Sequence, residues 1–315
     1  MEQRILGNSG LEVSSVGLGT MTWGRDTDIH EARDQFNIFR EAGGTLIDTA
    51  DIYSDGVSEE IVGEFVRDHP EMLVSSKAGT VRAPRKRNTS RAHLLSSLDD
   101  SLRRLKRNHI DVWHLHGWDI VTPLEESLAA AQYALDSGKV RYVGVSNFAG
   151  WQTATAVANF PIVSAQVEYS LVQRGIEREV VPASLAHGVG IMAWSPLGRG
   201  VLTGKYRHNT PADSRAASAH FASFVSPYLS ERPRIIVEAL CTAADGLGLT
   251  PASVALSWLL NNEFVSSALV GARTAAQLRV ILADVDVNLP LEIHNALNEV
   301  SMPDRGYPEF GWSQS

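Results

Sequence analysis

The chain has 315 residues, of which 44% are hydrophobic and 20% charged, a balance that argues against disorder and leaves material for a large core. The formal charge of −8 gives no overall electrostatic footprint for nucleic acid, so any anion site has to be a local pocket. The single cysteine, Cys241, forms neither an internal disulfide nor a cysteine-built metal centre, which fits a reducing, cytoplasmic setting.

Residues Met1 to Ser9 carry no apolar stretch of a secretory signal, and the longest apolar runs fall far short of the ~18 residues that a membrane helix needs. Neither secretion nor membrane insertion is expected. Arg4 to Leu6 and Leu11 to Ser15 flank Asn8-Ser9-Gly10 and predict a hairpin within residues 1–15. Eight β-rich runs follow, at Ser15–Gly19, Thr45–Asp48, Met72–Ser76, Asp111–His116, Arg141–Val145, Ile162–Val167, Gly190–Trp194 and Ser267–Val270. Amphipathic stretches separate them. Ser90 opens one, with Leu94, Leu98, Leu102 and Leu105 on a single stripe. Thr122-Pro123-Leu124-Glu125 opens another as N-cap, first-position proline and capping-box glutamate, and it runs through Leu128, Ala131 and Leu135 to Gly138. Thr250-Pro251 opens a third.

Alternating strands and helices imply a parallel sheet, and eight repeats of about 30 to 40 residues suit a closed (β/α)8 barrel of the TIM type. The pattern alone leaves a doubly wound sheet as the other arrangement. No linker or shift in composition divides residues 1–315, which are expected to form one domain. Two segments break the rhythm: Lys77 to Thr89, with Arg82, Arg85, Lys86 and Arg87, and the Ala- and Ser-rich residues 203–232. In a barrel both follow strands and lie on the C-terminal face, where barrel active sites are built. Residues 302–315 read as a tail.

Ionisable residues gather at strand ends: Asp48 and Tyr53 after the second run, Lys77 after the third, and His116 at the end of the fourth. Each alone reads as a satisfied core or rim residue; together they fall on one face. A tyrosine gives up its proton more readily when an ammonium stabilises the phenolate. Lys77 is placed to be that ammonium, Asp48 to orient it, and His116 to donate a hydrogen bond to a carbonyl oxygen that receives the tyrosine proton. His114 shares the strand parity of His116 and is expected one layer deeper as a hydrogen-bonded core residue; no partner cluster for a metal accompanies the pair.

Those residues sit in motifs that resemble the aldo-keto reductase superfamily: Gly44-Thr45-Leu46-Ile47-Asp48-Thr49-Ala50-Asp51-Ile52-Tyr53, Val74-Ser75-Ser76-Lys77, Asp111-Val112-Trp113-His114-Leu115-His116 and Gly144-Val145-Ser146-Asn147-Phe148. Ser195-Pro196-Leu197-Gly198-Arg199-Gly200 and Thr203-Gly204-Lys205-Tyr206 extend the likeness, which runs to about Ala283. The resemblance implies reduction of aldehydes or ketones by NADPH, with NADH as a possible substitute, and Asp48, Tyr53, Lys77 and His116 as catalytic residues. It assigns Ser146, Asn147 and Gln166 to the carboxamide and Trp194 to stacking on the nicotinamide. Ser195, Leu197, Gly198 and Lys205 fall to the pyrophosphate, and Gly271, Arg273 and Gln277 to the adenosine end. Trp194 stands where many relatives have tyrosine, and its Trp-Ser-Pro-Leu setting resembles the potassium-channel β-subunit branch; Ile281 stands where many carry asparagine near the adenine. No G-x-G-x-x-G follows a strand, which an extended cofactor across the barrel mouth does not require.

Trp23 and Trp118 follow the first and fourth strands and are expected at the substrate, a small-molecule carbonyl or alcohol; ordinary packing is expected for Phe148, Phe221, Phe224, Tyr228, Tyr307, Phe310 and Trp312. The short Gly117–Thr122 segment, compared with the long loop of steroid-handling branches, implies an open pocket. The basic run from Arg82 to Arg91 reads either as a solvated loop or as an attractor of anionic substrate. Two rival functions stand beside reduction: a regulatory cofactor-binding subunit with slow redox chemistry, and a barrel hydrolase or lyase using Asp48, Asp51 or Glu168 as paired carboxylates.

Overall fold

Short runs of Val, Ile and Leu, buried on both faces as parallel strands require, form the staves of a closed barrel in a computed structural model that describes residues 1–82, 86–211, 214–218, 222–304 and 306–307. A two-stranded antiparallel hairpin, β1 (Gln3–Ile5) and β2 (Glu12–Ser14), precedes it. The staves are β3 (Val16–Gly19), β4 (Leu46–Asp48), β5 (Leu73–Ala78), β6 (Ile110–Leu115), β7 (Val140–Ser146), β8 (Ile162–Glu168), β9 (Gly190–Trp194) and β10 (Val265–Val270). Each pairs in parallel with the next, and β10 returns to β3. Closure excludes the doubly wound sheet. All eight runs read from the sequence are strands.

The crossover helices are α1 (Ile29–Glu41), α2 (Val57–Val66), α3 (Arg91–Leu105), α4 (Leu124–Asp136), α5 (Gly150–Asn159) and α6 (Val180–His187). After β9 the chain makes a short α7 (Ala222–Val225) and a long α8 (Glu231–Leu247) before α9 (Pro251–Leu260); α10 (Ala275–Leu282) and α11 (Leu291–Ser301) follow β10. The segment 203–232, read as one long loop, is therefore interrupted by helical turns and ends inside α8. Thr250 caps α9 by accepting the amide of Ser253, as its sequence implies. The start of α4 differs: Pro123 takes the cap position without a side-chain bond, and the Thr122 hydroxyl donates to Asp119 Oδ2 at 2.8 Å. Among the described residues no single helix is long and apolar enough to cross a membrane.

Alternation along the strands layers the barrel interior. Leu46, Val112, Met192 and Leu269 form an apolar lower layer, closed from below by Leu6 and Val13 of the hairpin. Above it lies a polar layer in which His114 contacts Ser75 at 3.3 Å and Ser164 at 2.9 Å. Gly144 is required there, because a Cβ would come within 2.4 Å of both the His114 ring and the Ser164 hydroxyl. Outside the staves, aliphatic and aromatic side chains seal the helices to the sheet. Trp23 belongs to that seal. It is fully buried, donates from Nε1 to Gln35 at 3.0 Å and meets Phe65 edge-on at 5.7 Å. This overturns the substrate contact expected for it: the turn after β3 sends the indole behind the sheet. Arg85, Phe221, Phe310 and Trp312 lie outside the described residues.

One ion pair in this helix layer reaches toward the mouth. The fully buried Glu59 carboxylate accepts from Arg104 Nε at 2.7 Å and from Ser76 at 2.6 Å, tying α2 and α3 to β5. Removing one partner of a buried pair strands the other charge, at a cost of about 3 kcal/mol or more, whereas an exposed pair is worth ~1 kcal/mol or less. Arg104→Ala is therefore expected to lower the urea midpoint far more than Arg33→Ala, whose pair with Glu64 is 48% and 42% exposed. Equal losses in the two unfolding curves would contradict the buried-pair account.

Candidate active site

Asp48 ends β4, Lys77 lies near the end of β5 and His116 follows β6, so strand alternation turns all three into the barrel mouth. The Lys77 ammonium donates to Asp48 Oδ2 and to the Thr49 carbonyl, both at 2.6 Å, and reaches the Tyr53 hydroxyl at 3.4 Å. Asp48 Oδ1 accepts from Ser75 and from Gln166 Nε2, each at 2.8 Å. Tyr53 begins a tight turn before α2, and its ring meets that of His116 edge-on at 6.2 Å. The four residues singled out in the sequence thus converge. Ser75 and the Thr49 carbonyl complete the cluster; neither is visible in the sequence, since a serine or a main-chain oxygen carries no chemical signature there.

The electrostatics assign different states to these groups. Burial opposes the charge on Lys77, but Asp48 and then Tyr53 outweigh it and hold its pKa above the ordinary value. Burial pushes Tyr53 up; Lys77 pulls it down and Asp48 pushes it back, so the net shift is upward. The expected net lowering by Lys77 is therefore not what the geometry gives: the phenol keeps its proton, and the ammonium lies beside it to meet charge as it develops. Burial, reinforced by Lys77 and then Arg87, drops His116 well below the usual histidine range, so its imidazole is neutral. Its Nδ1 is buried without a partner, leaving Nε2 to meet the mouth. His114, pushed down to about 3 by burial, is a neutral core residue, as its depth implied.

These groups open into a cleft of about 830 Å³ that runs from Tyr53 and His116 past Trp194 to Arg273 and Gln277. At its inner end the Asn147 amide is tied on both sides, accepting from Trp194 Nε1 at 3.1 Å and donating to Ser146 Oγ at 3.0 Å. Ser146 keeps its hydroxyl proton and Gln166 its amide oxygen for a ligand. The Trp194 indole forms part of the wall and stacks on Phe224 at 6.5 Å and 14°. Ser195, Leu197 and Lys205 line the middle, where Ser195 adopts φ 52°; Gly198 lies behind them, its N–H bonded to the Ser195 carbonyl. Outward, Gly271 and Arg273 precede the N-terminus of α10, Gln277 accepts the Arg273 amide at 3.1 Å, and Ile281 closes the wall. A cleft with amide and hydroxyl groups at one end, an aromatic wall, and Lys205 and Arg273 further out suits an extended dinucleotide. Trp118 packs edge-on between Phe148 and Trp151 at 5.2 and 5.1 Å, at the rim rather than among the residues that line the cleft.

The carboxylates weighed for hydrolysis are mostly committed. Glu168 is held by Arg199 through two contacts of 2.7 and 2.6 Å, and Asp48 by Lys77. Among the described residues no group of three or more metal-ligating side chains occurs. Asp51 is different: burial, and then its neighbour Glu59, push it up to about 7, and its Oδ1 is buried without a partner. Unfolded, an aspartate titrates near ~4. Between that value and about 7 the folded chain retains a proton that the unfolded chain has lost. Stability contributed at this site therefore falls as pH rises through the window and is fully lost above it. Asp51→Asn is expected to leave stability at pH 4 nearly unchanged and to raise it at pH 8 by about 1–3 kcal/mol. Unfolding midpoints that differ equally at both pH values would refute the assignment.

Comparison with known proteins agrees with this architecture. The model of the Aldo/keto reductase family matches residues 15–302. The chain is 32% identical over 325 residues to a probable voltage-gated potassium channel subunit beta of Arabidopsis thaliana, covering 98% of each. It is 35% identical over 323 residues to an uncharacterised oxidoreductase of Bacillus subtilis, covering 95% of this chain and 96% of that one. An L-glyceraldehyde 3-phosphate reductase of Escherichia coli O157:H7 is 34% identical over 298 residues, with coverage of 88% and 86%. The family match spans every stave of the barrel, and this chain belongs to the aldo/keto reductase family of oxidoreductases.

Proposed function

We propose that this protein reduces aldehydes or ketones to alcohols with NADPH, reversibly, NADH serving as a weaker donor. The observation that carries the reading is the ammonium of Lys77, fixed 2.6 Å from Asp48 and 3.4 Å from the hydroxyl of Tyr53 at the inner end of the cleft. A bound nicotinamide supplies the hydride that adds to the carbonyl carbon. Tyr53 gives its proton to the carbonyl oxygen, and Lys77 stabilises the phenolate left behind. His116, neutral, donates a hydrogen bond that aims the same oxygen at Tyr53. Asp48 keeps Lys77 charged and in place.

Ser146 and Gln166 hold the carboxamide, with Asn147 bracing Ser146 and Trp194; Trp194 packs against the ring. Ser195, Leu197 and Lys205 would hold the pyrophosphate, with Gly198 bracing the Ser195 turn from behind, and Gly271, Arg273 and Gln277 would hold the adenosine end. Arg273 would hold the 2′-phosphate, for which a guanidinium is suited, and so favour NADPH. The substrates are small carbonyl compounds. One relative is named for reducing L-glyceraldehyde 3-phosphate, so short aldehydes, with and without a phosphate, head the panel. A cytoplasmic location suits a chain whose one thiol, Cys241, is buried and unpaired. A second reading, a regulatory subunit that binds the cofactor and a partner protein, is favoured by the likeness to potassium channel β subunits; tight NADPH binding with negligible turnover across the panel would select it.

Two measurements test the main reading. Tyr53→Phe is expected to lose about 10²- to 10⁴-fold in kcat while NADPH still quenches tryptophan fluorescence; undiminished turnover would remove Tyr53 from the role of acid. Arg273→Ala is expected to weaken NADPH by about tenfold or more and NADH little. Equal losses for the two nucleotides would refute a 2′-phosphate contact.

A further inference from the structure

The basic run after β5 does not behave as one solvated loop. Arg82 pairs with Asp55 at the surface, Arg91 donates to the Ala129 carbonyl at 2.9 Å and lies over Tyr133, and Lys86 is exposed. Arg87 alone among the described basic residues of that run is half-buried, and its charge is felt by His116 at the mouth. Its backbone is fixed close to the catalytic lysine: Arg87 bridges Thr80, and the flanking Asn88 amide donates to the Gly79 carbonyl at 3.0 Å. Its guanidinium lies flat against Gly117, the residue after His116. A Cβ there would stand 2.3 Å from Nε and 2.9 Å from Cζ and Nη2, so the approach depends on glycine. The charge is close enough to His116 to help keep that imidazole neutral.

Among the described residues the guanidinium has no anionic partner. Among the described residues its one hydrogen bond is from Nη1 to the Lys86 carbonyl at 3.1 Å, and no carboxylate lies within ion-pair distance. Asp119, the acid that its charge feels, accepts instead from the Thr89 and Val121 amides and the Thr122 hydroxyl. An arginine stays charged in such a setting, and a half-buried guanidinium with unfilled donors is a ready fork for an oxyanion.

We propose that Arg87 is an oxyanion-recognition subsite beside His116, so that the favoured substrates carry a carboxylate or a phosphate a few bonds from the reacting carbonyl. This rests on the carbonyl reductase reading, because His116 fixes where the carbonyl lies. Arg87 touches the far end of the substrate and takes no part in proton or hydride transfer.

The test compares kcat/KM within matched pairs, succinic semialdehyde against butanal for the carboxylate, and glycolaldehyde phosphate against glycolaldehyde for the phosphate. The wild type is expected to prefer the anionic member of at least one pair by about tenfold or more, and the pair that shows it identifies the group recognised. Arg87→Gln should abolish most of that preference through KM of the anionic substrate, and Arg87→Lys should restore part of it. A preference that is absent, or identical in wild type and Arg87→Gln, with butanal and glycolaldehyde still reduced, overturns the subsite and leaves the reductase reading standing. If no aldehyde is reduced, that reading fails instead. The subsite is then judged by calorimetric titration of succinate and of inorganic phosphate into the NADPH-loaded protein. Binding of either anion at least about tenfold tighter in wild type than in Arg87→Gln supports it; equal affinity, or none, overturns it.

Discussion

Lys77 and Asp48 are opposite charges taken out of water on neighbouring strands, 2.6 Å apart and both almost fully buried. Desolvating each ion costs several kcal/mol, and attraction repays this only when the remaining donors and acceptors are filled. Here they are. Ser75 and Gln166 occupy one oxygen of Asp48, and the Thr49 carbonyl takes a second proton of the ammonium. The consequence for chemistry is directional. Two short contacts fix the ammonium, so its remaining reach, 3.4 Å, falls on the hydroxyl of Tyr53. The same bonds pin β4, β5 and β8 to one another at the mouth, so the register of the barrel and the geometry of the site are held by one set of atoms.

The pair also depends on what lies beneath it. Ser75 bonds upward to Asp48 and contacts His114, which in turn meets Ser164. Because burial keeps His114 neutral, this floor offers hydrogen bonds without adding a charge that would compete with Asp48 for Lys77. Under it sits the apolar layer that the hairpin seals. Charges above a buried, hydrogen-bonded floor act on their neighbours more strongly than in water. That is why burial and Lys77 contend so directly over the Tyr53 proton.

The strands were legible in the sequence because parallel staves are buried on both faces and read as short apolar runs broken by glycine, proline or a polar end. The convergence at the mouth was legible for a related reason: Asp48, Lys77 and His116 stand at or just beyond strand ends, where two-residue alternation decides which side chains enter it. His114 was separable from His116 by the motif match, which falls on His116, and by its greater depth. Legibility stopped where a short turn sets direction. Trp23 follows a strand as Trp118 does, yet the tight Thr20–Thr27 turn, held by main-chain bonds, sends it behind the sheet. Thr122 has the spelling of a cap, but Asp119 claims its hydroxyl. Within the basic run nothing distinguishes Arg87 from Arg82 until Gly117 is brought opposite it.

The commitments of the acids around the mouth are consistent with the proposed donation of a proton by a phenol. Hydrolysis by paired carboxylates needs one acid that is protonated and another that is free to attack or to deprotonate water. Asp48 spends its charge on Lys77, Glu168 on Arg199 in a fork that also holds the guanidinium over Phe224, and Glu59 on Arg104. Asp51 can hold a proton near neutrality but lies beside Glu59, outside the residues that line the cleft. The carboxylates are consumed in positioning an ammonium, an aromatic wall and a helix. Among the described residues at the inner end of the cleft, Tyr53 keeps a transferable proton and His116 supplies a neutral hydrogen-bond donor beside it, an arrangement suited to receiving hydride at a carbonyl rather than water at an ester or glycoside.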